Sequence, residues 1–261
     1  MYKLRDWIDE SKLSVLGLSE NPRAISYIDR KKIKIVWHTL VSNPHAMELL
    51  EKNTEIDWYV LSANPAAIDL LQENKDKINW YRLSENPAAI QLLTENKNKI
   101  NWNTLSKNPA AIPLLKKHFG MINWSRLSEN PAAMELLEKH PHKIEWFKLS
   151  TNPSPSAIKL LEANPDKIAW NWLSENPAAI HLLEANLEKV NWYLLSLNPA
   201  AIHILQENPE KIDWFWFSAN PSIFEYDYKN MKRPFTEELM QNRFHPKNIN
   251  RFEAWGYEDS L

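Results

Sequence analysis

The sequence predicts an all-α fold: an α-solenoid of ten roughly 22-residue units, each a short α-helix plus a shorter α or 3-10 helix, with N- and C-terminal caps. Three observations carry this. An Asn-Pro pair begins at Asn21, Asn43, Asn64, Asn86, Asn108, Asn130, Asn152, Asn176, Asn198 and Asn220, a fixed period of the kind that marks stacked repeats. Six residues before each Asn, nine units of ten carry Trp, and the first unit has Val15 there. Glycine occurs only as Gly17, Gly120 and Gly256, so neither a phosphate loop nor a dinucleotide fingerprint can be built.

The spacing is broken twice, by a residue lost in "EKNTEIDW" and two gained in "TNPSPSAIKLL". Both changes fall beside a turn or a helix start, where insertions are tolerated.

Each element follows from its residues. Asn86 is a strong helix N-cap, and Pro87 suits the first helical position because its missing N–H would be unpaired anyway. Ala88 and Ala89 have high helix propensity. Ile90, Leu92 and Leu93 supply an apolar face, which predicts a helix over residues 87–95. An Asn-Lys segment such as "NKDK" then breaks it. Asn79 caps a second helix over 80–84, a place taken elsewhere by Asp57, Glu145 or Asp213; an acidic group also suits a helix N-terminus. Trp80 and Leu83 share one face of this piece, which is short enough to be 3-10. Neither helix is stable alone at such lengths, so each buries its stripe against the next coil.

Ten stacked coils predict a rod or arc on the order of 80–100 Å long. The nine repeat tryptophans are expected to form a continuous ladder in its core, each burying about 200 Å². The Ser before the turn (Ser84 in this unit) is expected to bond backbone at the helix junction.

Units such as "LSENPAAIQLLTENKNKINW", with the closing segment "FEYDYKNMKRPFTEELMQNRFHPKNINRFEAWGYE", resemble short Asn-Pro repeat proteins of giant DNA viruses, the marseillevirus- and mimivirus-like groups. That resemblance covers almost the whole chain. It implies a viral origin, in the host cytoplasm or the virion, and no established activity or catalytic residues. The design is also similar to variant leucine-rich repeats, an analogy of architecture.

The organisation expected is an N-terminal cap over 1–12, a repeat solenoid over 13–224 and a C-terminal helical cap over 225–261. Tyr2, Leu4, Trp7 and Ile8 would give the first cap an amphipathic helix. In the tail, Thr236 can cap a helix with Phe235 and Met240 as a staple across it. A final helix over 246–256 would carry Ile249, Phe252 and Trp255.

The formal net charge of −2 gives no electrostatic reason for nucleic acid or an anionic membrane as the main partner. No apolar run is long enough to span a bilayer, and "MYKLRDWIDESKL" has no signal-peptide core. The absence of cysteine excludes disulfides, thiolate nucleophiles and Cys-ligated zinc. No HExxH motif is present. His181 and His203 share a repeat position whose other occupants include Asp69, Gln91 and Lys159, a mixture typical of a solvated site. "HPHK" (140–143) reads as a polar turn. The carboxylates fall on loops and polar positions, so no catalytic, cofactor-binding or metal-binding residue is assigned.

The informative positions are those that vary. The two residues after the repeat Trp are polar in the middle units and aromatic in the last ones. Phe147, Trp172, Tyr193, Leu194, Phe215 and Trp216 form a candidate apolar strip, with Tyr81, Arg82, Arg126 and Lys148 on the same face. Such strips mark protein interfaces, although a C-terminal cap folded over them would fit equally. The expected function is a non-enzymatic scaffold that binds an unidentified viral or host protein, or a virion component. The alternative is single-stranded nucleic-acid binding by Arg82, Arg126 and Lys148, with stacking on Tyr59 and Tyr81. A third possibility is an enzyme site in the tail near Asp227, Tyr228 and His245.

Overall fold

The computed structural model describes residues 2–50 and 56–227. The tail helices expected from Thr236, Phe235 and Met240 and over 246–256, and the site at Tyr228 and His245, lie outside the described residues.

The fourth unit shows how the sequence makes its coil. The first helix is Trp80–Glu85 and is α-helical. Asn79 caps it by accepting from the Arg82 N–H at 3.0 Å. The stretch expected as one helix over 87–95 is split. Pro87–Ala89 is a 3-10 turn and Ile90–Glu95 is the α-helix. The Asn86 side chain holds the Ala88 N–H at 3.0 Å, and its carbonyl takes the Ala89 N–H at 3.1 Å, which winds the first turn tightly. Lys97–Lys99 is a second 3-10 turn. In the seventh unit the two extra residues replace the tight turn by a continuous helix, Pro155–Glu162. Asp57 and Asp213 cap as expected. Glu145 makes no side-chain cap bond.

The buried layer is built from small and aliphatic side chains. Leu83, Ala89 and Leu93 have no exposure, nor do their counterparts Leu105, Ala111 and Leu115. The Asn of each repeat Asn-Pro pair and, outside the second unit, the Ser two residues before it are buried with them and hydrogen-bonded, the condition under which buried polar groups are tolerated. Asn86 Nδ2 donates to the carbonyls of Ser62 at 3.1 Å and Asn64 at 3.0 Å in the preceding unit. Ser84 Oγ donates to the Trp80 carbonyl at 2.7 Å and accepts from the Asn101 N–H at 3.0 Å. The result is a polar spine running from unit to unit.

The tryptophans are not a core ladder. Trp80, Trp102, Trp124 and their equivalents are half-buried against the aliphatic layer, and Trp37 is exposed. The lysine ending the next 3-10 turn lies over the ring: Lys77 over Trp58 at 4.7 Å, Lys99 over Trp80 at 4.7 Å, Lys211 over Trp192 at 4.4 Å. A large ring with a polar edge and a cationic neighbour sits better at the rim than in a layer of leucines.

Nor is the array a rod or an open arc. Asn21 in the first unit donates to the carbonyls of Ser218 at 3.0 Å and Asn220 at 2.8 Å in the last, the pattern seen at the inner joints. Ser218 Oγ accepts from the Ser14 N–H at 2.8 Å, and Lys12 lies 5.0 Å over Trp214. The ten units therefore close into a ring. The close approaches between neighbours are made by first helices and by Asn-Pro turns, as between Trp80–Glu85 and Trp102–Leu105.

Residues 2–12 form no amphipathic helix. They give a strand, β1 (Tyr2–Leu4), and a 3-10 turn, Glu10–Lys12. Among the described residues, the last unit has a strand where the others begin their second helix. After its turn Pro221–Ile223 comes β2 (Phe224–Tyr226), which pairs antiparallel with β1 through Tyr2↔Tyr226, Lys3↔Glu225 and Leu4↔Phe224. Arg5 reinforces the pair by donating from Nε to the Ser222 carbonyl at 2.8 Å. The N-terminal segment thus supplies the strand and the lysine turn that complete unit ten.

Gly17 marks the joint. A Cβ built there would lie 2.6 Å from the Phe215 carbonyl oxygen and 2.7 Å from Ser218 Cβ, contacts that no side chain can make. Other units carry Thr104, Arg126 or Trp172 at this repeat position.

Candidate protein-docking face

The variable positions sit on the first helix of each unit, just after the Trp. The buried Leu and Ser of that helix fix its inward face, so the first residue after the Trp points outward. Tyr81, Phe147, Tyr193 and Phe215 are each 40–46% exposed, and Tyr59 is 51% exposed. Residues one place further on, Arg82, Arg126, Lys148, Leu194 and Trp216, are half-buried, while Trp172 is 42% exposed.

Successive units bring these side chains together along the ring. Phe147 and Trp172 have ring centroids 6.5 Å apart. Tyr193 meets Trp216 edge-on at 5.1 Å, and Trp216 meets Phe215 in the same way at 5.1 Å. The contacts form two groups, Phe147 with Trp172 and Tyr193 with Trp216 and Phe215. Tyr81 and Arg82 do not join it. Arg82 lies 5.3 Å over Tyr59 and pairs with Glu85.

The other cations on the face are also committed. Lys148 Nζ is 2.5 Å from Glu129 Oε1, Lys107 is 3.1 Å from Oε2, and Arg126 is 3.7 Å from Oε1. Lys148 also lies 5.6 Å over Trp172, joining the ion network to the strip. Glu175 lies beside them, and the group lines an open cavity of about 410 Å³. Burial pushes Glu129 up, but the Lys148 and Lys107 ammonium groups more than offset it and hold the carboxyl below its ordinary value. Burial raises Glu175. Lys107, Glu129 and Glu175 went unrecognised in the sequence because they precede the Asn-Pro pair, where charged residues read as ordinary turn chemistry.

His181 and His203 do not form a pair. His181 Nε2 meets Glu162 at 2.7 Å, and His203 Nε2 meets Glu184 at 2.5 Å, both exposed. Among the described residues no helix is long and apolar enough to cross a membrane.

A family model described as periplasmic copper-binding protein (NosD) matches residues 25–193, the greater part of the repeat array. The chain belongs to that family. No curated protein and no solved structure matches it.

Proposed function

We propose that this NosD-family chain is a non-enzymatic scaffold that docks a partner protein through the strip Phe147, Trp172, Tyr193, Leu194, Phe215 and Trp216. One observation carries the reading. The buried layer of each unit is complete without these side chains, yet Phe147, Trp172, Tyr193 and Phe215 remain exposed, and Phe147 meets Trp172 and Tyr193 meets Trp216 across units. Paired exposed aromatics of this kind favour a partner with apolar side chains of its own. Trp172→Ala with Trp216→Ala should leave the fold intact by far-ultraviolet circular dichroism and abolish photo-crosslinks from position 193 to a purified partner. A partner held as tightly by the double variant would sink the proposal.

Two finer readings belong with it. The repeat resemblance supports a setting in a large DNA virus, tested by mass spectrometry of purified virions. Single-stranded nucleic acid is less well supported, because Arg82, Arg126 and Lys148 are each engaged by a carboxylate.

The copper of the family description does not fit these residues. The chain has no cysteine. Among the described residues no three His, Asp or Glu side chains come together as a metal site, and His181 and His203 each face a single glutamate.

A further inference from the structure

The second helices of units one and two border a groove. After Ile25–Lys31 the chain turns through Lys32 at φ 53°. It then runs without the 3-10 turn found in later units. The groove stays open as a cavity of about 730 Å³ walled by Ile25, Ile28, Ile33, Ile35 and Leu49. Tyr2 and Arg23 stand at the same cavity.

Those two residues also hold the end of the ring. Tyr226, the last residue of β2, stacks on Tyr2 with centroids 4.8 Å apart. The Arg23 guanidinium lies over Tyr2 at 5.3 Å and donates to the Pro221 carbonyl at 3.4 Å. The described part of the chain therefore reaches its last strand residue, Tyr226, beside a residue that lines this cavity. Residues 228–261 carry Phe235, Leu239 and Met240 within "PFTEELM", an apolar set at helical spacing. Eight residues of extended chain reach about 26 Å, enough to bring Phe235 from Asp227 across a groove one helix wide.

We propose that the C-terminal segment of this same chain docks in the cavity, with Phe235, Leu239 and Met240 against Ile25, Ile33, Ile35 and Leu49. This stands independently of the strip, and it gives the tail a seat on units one and two.

The test uses the full chain with p-benzoylphenylalanine in place of Phe235. Irradiation at low concentration should give crosslinks within one molecule, to residues 25–49. Ile25→Glu with Leu49→Glu should cut their yield at least tenfold. Hydrogen exchange gives a second readout that does not depend on those variants folding. Phe235→Asp with Leu239→Asp should accelerate exchange over residues 25–35 at least tenfold, with residues 90–139 unchanged. Crosslinks between two copies, crosslinks to the Trp172 and Trp216 strip, or unchanged exchange over 25–35 would each overturn the proposal.

Discussion

The Asn21 side-chain amide donates to the carbonyl of Asn220 at 2.8 Å across 199 residues of chain. The same donor in Asn108 reaches the carbonyls of Asn86 at 2.9 Å and Ser84 at 3.1 Å. One chemical joint therefore does the work of both stacking and closure. Each copy is buried, so its loss leaves a buried carbonyl short of a donor as well as removing a helix cap. Asn108→Ala should cost about 2–4 kcal/mol, read as a lowered urea midpoint. Asn108→Asp keeps the cap acceptor and loses both amide donors. At neutral pH it should be no more stable than Asn108→Ala.

Closure is tested at Gly17. The glycine is helical, so a larger residue gains helix propensity of about 0.5–1 kcal/mol. The 2.6 Å approach to the Phe215 carbonyl opposes that gain and involves backbone that cannot swing aside. Gly17→Val should open the joint. The radius of gyration from small-angle scattering should rise, and exchange should accelerate in Val15–Glu20 and Trp214–Ala219 first. A variant as compact as the parent would contradict the ring.

The paired carboxylates give opposite pH responses. Glu175 is raised by burial, so its stabilising protonated form is lost as pH rises through its folded value. Glu175→Gln should then exceed the parent in urea midpoint at pH 7, with the gap closing as pH falls toward 4.5. Glu129 lies below its ordinary value, because Lys148 and Lys107 more than offset the effect of burial. Its contribution is present above pH 4.5 and lost on further acidification. Glu129→Gln should be less stable than the parent at pH 7, with that gap closing only in acid.

At the rim, Trp80 and Lys99 should separate by size of effect. Lys99→Met keeps the stem and removes the cation, a loss of about 0.5–1 kcal/mol. Trp80→Ala strips a half-buried ring from the aliphatic layer and should cost about 2–3 kcal/mol. Urea midpoints of the two variants and the double variant measure the coupling.

The units were legible because their signals are local. Asn86 and Pro87 dictate a helix start through their own backbone chemistry, and the period follows by counting. Curvature is different. It depends on how far apart neighbouring coils sit on their two sides, which no single residue declares. β1 and β2 carry no repeat signature, so the pairing of Tyr2 with Tyr226 could not be read. Two signals were nevertheless present. Gly17 stands where other units carry side chains, and Lys12 stands where Lys77 and Lys99 recur. For the tryptophans, size and hydrophobicity argue for a core. The lysine recurring at a fixed distance after them argues for a rim. The strip was visible in its identities, but the pairing of Lys148 with both Glu129 and Trp172 needed three dimensions.

An open stack tolerates gain or loss of a coil, since the remaining neighbours still match. Here the count is part of the structure. Removing one unit between Asn43 and Asn198 would leave nine joints to turn through an angle divided among ten, and adding one would overshoot. Unequal crossing-over between near-identical units such as "NPAAIQLL" and "NPAAIHLL" is the ordinary way repeat arrays change length. In this chain such an event would leave Asn21 facing the wrong partner. The ring thus converts a sequence that is easily lengthened into a molecule whose size is fixed.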